Sequence, residues 1–351
     1  MFTKSDIIFY NILPNIKYER GEVIEINKLY MFFNSIRLQE YEEISSSFSK
    51  GTYNSTHELM FASEKVKKEI HTQDNKYSFT MRFKSNLVTI TIYSKVHIEN
   101  TNFFHELKNY IQFILSIRPT NVDIEINYFL TDQKKTLKKT IPTKDDVNSG
   151  SCLTMSNKCI INIWRKEEIL KVTLHEMFHA LKFSHYSDID NVLNHFKQKY
   201  KISSKKINTD EAYTEIWANL INCFLISKKF GNNGKEVFKR CVLIEKEYSL
   251  FQAKKVMHHF LEDRVDLDKN TNVTSYFLIR AELYNNLKEF LKYCRTKNEN
   301  YVKIKDISSW LDTLISGKKI EQSNNLFQRK EEDDLFRNLR MSILELDVQP
   351  N

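Results

Sequence analysis

Two histidines four residues apart, His175 and His179, flank a run whose second residue is Glu176, in KVTLHEMFHALKFSH (171–185). In a helix, side chains four apart share a face. The two imidazoles then project one turn apart, as two ligands of one metal ion require. Glu176 projects beside them, where a carboxylate can take a proton from a metal-activated water and later pass it to a leaving amine. The neighbours Val172, Leu174, Met177, Phe178, Ala180 and Leu181 are apolar, or nearly so. They predict a buried helix whose polar residues need partners. The same residues also fit a plain core helix with two hydrogen-bonded histidines.

A zinc ion in a hydrolase takes three protein ligands and keeps one open position. Three residues are candidates for the third ligand. Glu211 and Glu215, four apart in DEAYTEIWANLIN (210–222), share a helix face. Glu215 is preferred, because Ile216, Trp217, Leu220 and Ile221 mark its surroundings as buried and the small Ala218 allows close helix packing. Glu211 would then orient a neighbour or face solvent. Were Glu211 the ligand, Glu215 could accept the other N–H of a histidine ring. The third candidate is His185, which completes HExxHxxxxxH, with Lys182 where a turn glycine would normally stand. Further on, NVTSYFLIR (272–280) offers Tyr276 for an oxyanion and Arg280 for a substrate carboxylate, or two core residues. No serine or cysteine nucleophile stands out.

HEMFHA resembles the active-site helix of the zincin metallopeptidases. TEIWAN (214–219) is similar to the downstream glutamate helix of their gluzincin branch. The resemblance implies a Zn2+-dependent peptidase acting on a protein or peptide, with His175, His179 and Glu215 as ligands and Glu176 as general base. Gluzincins often carry Asp four residues after the ligand Glu; here that position is Asn219. HEMFHALKFSH (175–185) is also similar to the metzincin motif, but Lys182 replaces its glycine and no Met-turn follows. The next methionine, Met257, lies in the helical run KKVMHHF. Over residues 148–295, Glu211, Tyr213, Thr214, Glu215, Trp217 and Ala218 make the pattern similar to uncharacterised zincin-like proteins of large DNA viruses. A different class of function fits the same motifs: an inactive zincin fold serving as a protein-binding, virion or host-interaction module.

The elements that must position these residues are legible in part. SFTMRF and LVTITIY alternate within Tyr77–Lys95 and predict two strands meeting near Ser85-Asn86. VDIEINYF and CIINIW (Cys159–Trp164) predict two more. The last is expected either as an edge strand able to pair with an extended substrate, as the zincin resemblance implies, or as an ordinary core strand. Asn148-Ser149-Gly150 precedes it as a rim loop, within a polar stretch over 145–150. Helices are predicted over 58–70, 103–117, 165–183, 191–200 and 210–229, then through most of the chain to about residue 316. An amphipathic stretch follows over 335–346. The fold class expected is α+β: a zincin-like core with a small mixed sheet and a mainly helical C-terminal half. The expected domains are a mixed α/β region over 1–145, a catalytic domain over 146–316 and a charged tail over 317–351.

Hydrophobic residues make up 41% of the 351, enough for a proper core. Net charge is +8, but the basic residues are spread along the chain without interleaved aromatics, so no nucleic-acid partner is expected. Five cysteines without a CxxC pair argue against a disulfide framework or zinc ribbon. The first residues lack the apolar run of a secretion signal, and no stretch reaches the length of a membrane span. An intracellular protein is expected, in host cytoplasm or virion if viral.

Overall fold

The computed structural model describes residues 19–54, 59, 61–98, 101–261, 265–321 and 334–345. The start of the helix expected over 58–70 and the end of the amphipathic stretch at 346 lie outside them, as does most of the expected tail. The chain forms two compact units, and each is discontinuous in sequence. One, the sheet unit, comprises Ile36–Lys135 and Asn148–Lys182. The other, the helical unit, comprises residues up to Ser35, Thr136–Val147 and Phe183–Glu345. The mixed sheet and the helical C-terminal half make an α+β protein.

The sheet unit has six strands: β1 (Glu42–Lys50), β2 (Asn75–Arg82), β3 (Leu87–Ser94), β4 (Asp123–Phe129), β5 (Gly150–Thr154) and β6 (Lys158–Ile163). Their order is β1-β2-β3-β4-β6-β5. β2 and β3 form an antiparallel hairpin closed at Arg82↔Leu87. A crossover helix over Thr101–Ile117 then returns the chain so that β4 runs parallel to β3, the connection that parallel pairing demands. β6 pairs parallel with β4 and antiparallel with β5. Cys159–Trp164 is therefore no edge strand: the edge is β5, which opens at Gly150 where a rim loop was expected. Strand pairs bury Ile124, Ile126, Ile161 and Ile163. At one register position two amides replace apolar side chains: Asn127 Nδ2 donates to Asn162 Oδ1 at 3.1 Å, so a buried polar pair satisfies itself across the ladder.

In chain order, α1 is Arg20–Ser35, α2 Glu64–Ile70, α3 Thr101–Ile117, α4 Lys144–Val147, α5 Ile169–Ala180, α6 Asp190–Tyr200, α7 Thr209–Lys228, α8 Gly234–Phe260, α9 Arg280–Asn285, α10 Leu287–Lys297, α11 Ile307–Ile315 and α12 Asp334–Arg337, with a π-helix over Thr274–Ile279. The helical unit is built around α7, of which all but Glu211, Leu225 and Lys228 is buried. A helix buried on every face belongs at the centre of a bundle. Trp217 packs against Phe33, Phe290 and Tyr301, and Tyr213 against Trp310. Residues 338–345 are taken into this unit as an extended strap. Asn219 and Asn222 donate to the Met341 and Leu344 carbonyls at 3.1 and 3.2 Å, and Gln252 donates to that of Arg340 at 2.9 Å. Glu245 accepts from the Ile343 and Leu344 N–H groups at 3.2 and 3.0 Å. No helix among the described residues is long and apolar enough to cross a membrane.

Candidate metal centre

α5 carries the HExxH residues, and its sequence explains how they are turned. Thr173 and Tyr128 of β4 share a hydrogen bond of 2.9 Å between their hydroxyls. The Ala180 carbonyl accepts from Cys159 Sγ of β6 at 3.7 Å. Residues 173, 176/177 and 180 thus form the face laid on the sheet. His175 and His179 lie on an adjacent face. Glu176, between them in sequence, points at the edge strand. A Cβ placed on Gly150 would stand 2.5 Å from Glu176 Oε1 and 2.9 Å from its Cδ, so the carboxylate occupies the space that any other residue would fill. Glycine occurs six times in the whole chain, and that scarcity was the one signal that Gly150 had a special task.

α5 begins at Ile169, four residues later than the expected 165, because Glu168 takes a left-handed conformation (φ 58°). Its buried carboxylate meets Lys135 Nζ at 2.7 Å and Lys171 Nζ at 3.9 Å. The helix ends as Lys182 turns left-handed (φ 52°), its N–H on the His179 carbonyl at 3.1 Å. The chain makes without glycine the turn for which a glycine was expected. His185 beyond it is nonetheless exposed.

The rings of His175 and His179 meet edge-to-face, 4.9 Å between centroids at 74°, with their Nε2 atoms 3.2 Å apart. Two imidazoles on a tetrahedral zinc, each about 2.05 Å from it, hold their nitrogens about 3.3 Å apart. The spacing fits that donor set. One ligand atom from each of His175, His179 and Glu211 lies within 4.8 Å of the others, a group that could hold a metal ion. Two imidazoles and a carboxylate are a common donor set for catalytic zinc.

Glu215, preferred from the sequence, is not in that group, and neither is His185. This moves the candidate third ligand one turn toward the start of α7. The Glu215 carboxylate lies 3.4 Å from Arg280 Nη1, with both side chains buried. Arg280 also donates from Nε to Ser249 Oγ at 3.1 Å and from Nη1 to the Met341 carbonyl of the strap. Its guanidinium is fully buried within the helical unit, as the core alternative offered for it from sequence expects. Tyr276 is buried in the π-helix, a form of helix common at functional sites. Glu211 accepts from Asn272 Nδ2 at 3.4 Å. At the start of α7, Asp188 accepts from the Thr209 backbone N–H at 2.6 Å and from its hydroxyl, fixing the first turn that carries Glu211. Asn219, four residues after Glu215, is turned to the strap.

Comparison of the chain with family models, curated proteins and solved structures finds no match in any of the three.

Proposed function

We propose that this protein is a zinc-dependent peptidase. The observation that carries the reading is the 3.2 Å approach of the His175 and His179 Nε2 atoms, with Glu176 turned aside onto Gly150. His175 is buried and His179 half-buried, and their Nε2 atoms meet each other at the spacing that two ligands of one ion would keep. His175, His179 and Glu211 are the residues that would hold the ion. When bound, zinc supplies the Lewis acid that polarises a scissile carbonyl and lowers the pKa of water.

The chain's own residues do the rest. Glu176, its carboxylate held between α5 and the edge strand, takes the proton of the attacking water and returns it to the leaving nitrogen. β5 is the last strand on its side of the sheet, so its outer N–H and C=O groups are placed to align an extended polypeptide by strand addition.

The test is metal content beside hydrolysis of an unfolded protein substrate, for the wild type and Glu176→Gln. The wild type is expected to hold about one zinc per chain and to cleave. The variant should keep the metal and lose on the order of 100-fold or more in rate, the size of a general acid–base contribution. Wild type purified without chelators and free of metal would sink the proposal, and so would cleavage indifferent to the substitution.

A further inference from the structure

The run NVTSYFLIR (272–280) draws the eye to Tyr276 and Arg280, but the residue of it that touches a candidate ligand is the first. Asn272 Nδ2 donates to Glu211 Oε1 at 3.4 Å. Both residues are half-buried, and both belong to the helical unit. Chemistry fixes the direction of this bond. An ionised carboxylate can only accept, so the amide must present its NH2 group and not its oxygen. The amide is also neutral. It ties the carboxylate down without cancelling the negative charge that attracts a cation, as a lysine in its place would.

Asn272 is itself firmly held. Its carbonyl accepts from the Tyr276 N–H at 2.9 Å, in the first turn of the π-helix. Buried Asp268 caps that helix: Oδ1 accepts from the Thr274 N–H at 2.9 Å, and Oδ2 from the Thr274 hydroxyl at 2.5 Å. The same Oδ2 accepts from Ser204 Oγ at 2.7 Å, and the Ser203 N–H donates to the Val265 carbonyl at 2.8 Å. The loop is thus bound at its start to the segment around Ser204 and at its end to the helix it opens. Of residues 265–274 only Lys269 and Asn270, at the tip, are exposed. A donor mounted on such a loop has already lost its freedom and has little more to lose when it is used.

We propose that Asn272 is a positioning residue of the metal centre: it holds the Glu211 carboxylate ready for the ion and thereby sets how tightly the ion is bound. Asp188 fixes the backbone of the turn that carries Glu211, through the Thr209 N–H at 2.6 Å. Asn272 fixes the end of the side chain. A glutamate held at both ends gives up little rotamer freedom on binding a cation, and that saving appears as affinity. Hydrogen-bond partners of metal ligands are typically worth about 10–100-fold in affinity. The proposal rests on Glu211 as the third ligand, and not on the reaction that follows.

The experiment titrates Zn2+ into the zinc-free full-length chain in competition with a chromophoric chelator. Wild type is compared with Asn272→Leu, which keeps the approximate shape and removes the donor, and with Asn270→Leu, a control at the exposed tip of the same loop. Asn272→Leu is expected to weaken zinc binding by about 10–100-fold, while urea unfolding of the zinc-free protein stays that of the wild type. Asn270→Leu should bind zinc as the wild type does. The same substitution is then made on Glu211→Ala, titrated at higher zinc, where only the two histidines hold the ion. There Asn272→Leu should change nothing further, because the residue it acts through is gone. Zinc affinity that stays within about threefold of wild type in Asn272→Leu overturns the proposal. So does a loss of the same size in the Glu211→Ala background, which would mean that the loop acts through the fold. A wild type without zinc binding overturns the positioning role together with the metal centre. Zinc binding with the expected loss in Asn272→Leu, but without hydrolysis in any form of the protein, defeats the peptidase reading and leaves the positioning role standing.

Discussion

Glu176 owes its position to a side chain that is absent. Gly150→Ala would put a methyl group 2.5 Å from Glu176 Oε1, and of the two groups the carboxylate is the one free to move. Misplacing a catalytic group by about 1 Å can cost about 100-fold in rate. The variant is therefore expected to lose ten- to a hundredfold in hydrolysis while zinc content and thermal midpoint hold, which metal analysis and a melting curve check beside the assay. The two glutamates of α7 divide in the same way. Glu211→Ala is expected to lose zinc. Glu215→Ala is expected to strand the buried Arg280 guanidinium and destabilise the fold by about 3–5 kcal/mol, measured by urea unfolding of the zinc-free proteins. If Glu215→Ala instead loses metal at unchanged stability, the two roles are reversed. The shared face of His175 and His179 was legible because four-residue spacing is a helical face. The choice between Glu211 and Glu215 as the candidate third ligand was not, because they lie on one face and differ only by a turn of about 5.4 Å, which no local pattern records. Gly150 was hidden for a similar reason: its neighbour Glu176 is close only once the sheet has formed.

At the scale of elements, helices with a clean apolar period were read nearly to the residue. α6 and α7 were expected over 191–200 and 210–229 and occupy Asp190–Tyr200 and Thr209–Lys228. β2, β3, β4 and β6 were read from alternation or a short apolar run. β1 was not, because EEISSSFSK is exposed along its whole length and no burial pattern marks it. β5 escaped because five residues, GSCLT, are too few to show a period. The late start of α5 comes from a non-glycine residue in left-handed backbone, for which the sequence carries no marker. That start rests on a buried charge pair. Lys135→Ala would leave the Glu168 carboxylate in the interior without its 2.7 Å partner, an expected loss of about 3–5 kcal/mol. Lys135→Met with Glu168→Gln should recover much of it, since removing both charges also removes their desolvation cost. Urea unfolding of the single and double variants measures the difference.

At the scale of the whole molecule, the helical unit is closed by the strap, and a buried lysine is part of the closure. Lys255 Nζ donates to the Leu335 and Asn338 carbonyls at 2.9 and 2.6 Å. Burial holds its pKa well below the ordinary 10.5, against a smaller opposing pull from Asp334. In the window between that lowered value and 10.5, the unfolded chain binds the proton more tightly than the folded one. Stability contributed by this group must therefore rise with pH across the window. Lys255→Met is expected to remove that rise and to take away both of these buried hydrogen bonds, costing about 1–3 kcal/mol each. The difference in unfolding free energy between the two proteins, followed across alkaline pH, checks both parts. Composition, from which a charged tail was expected over 317–351, does not reveal that helix side chains take up the backbone of 338–345.

The chain joins its ends late. α1 buries Ile26, Leu29 and Phe33, with Glu25 on Arg295 at 3.1 Å and Phe33 against Trp217 and Phe238. During synthesis α1 leaves the ribosome long before any of these partners has been made. Its apolar stripe must wait in water, or on a chaperone, while more than half the protein is translated. The sheet unit has all its strands by residue 163 and its histidine helix by 180. A stalled or truncated product would therefore be a folded sheet with a sticky helix at its front, a product prone to aggregate.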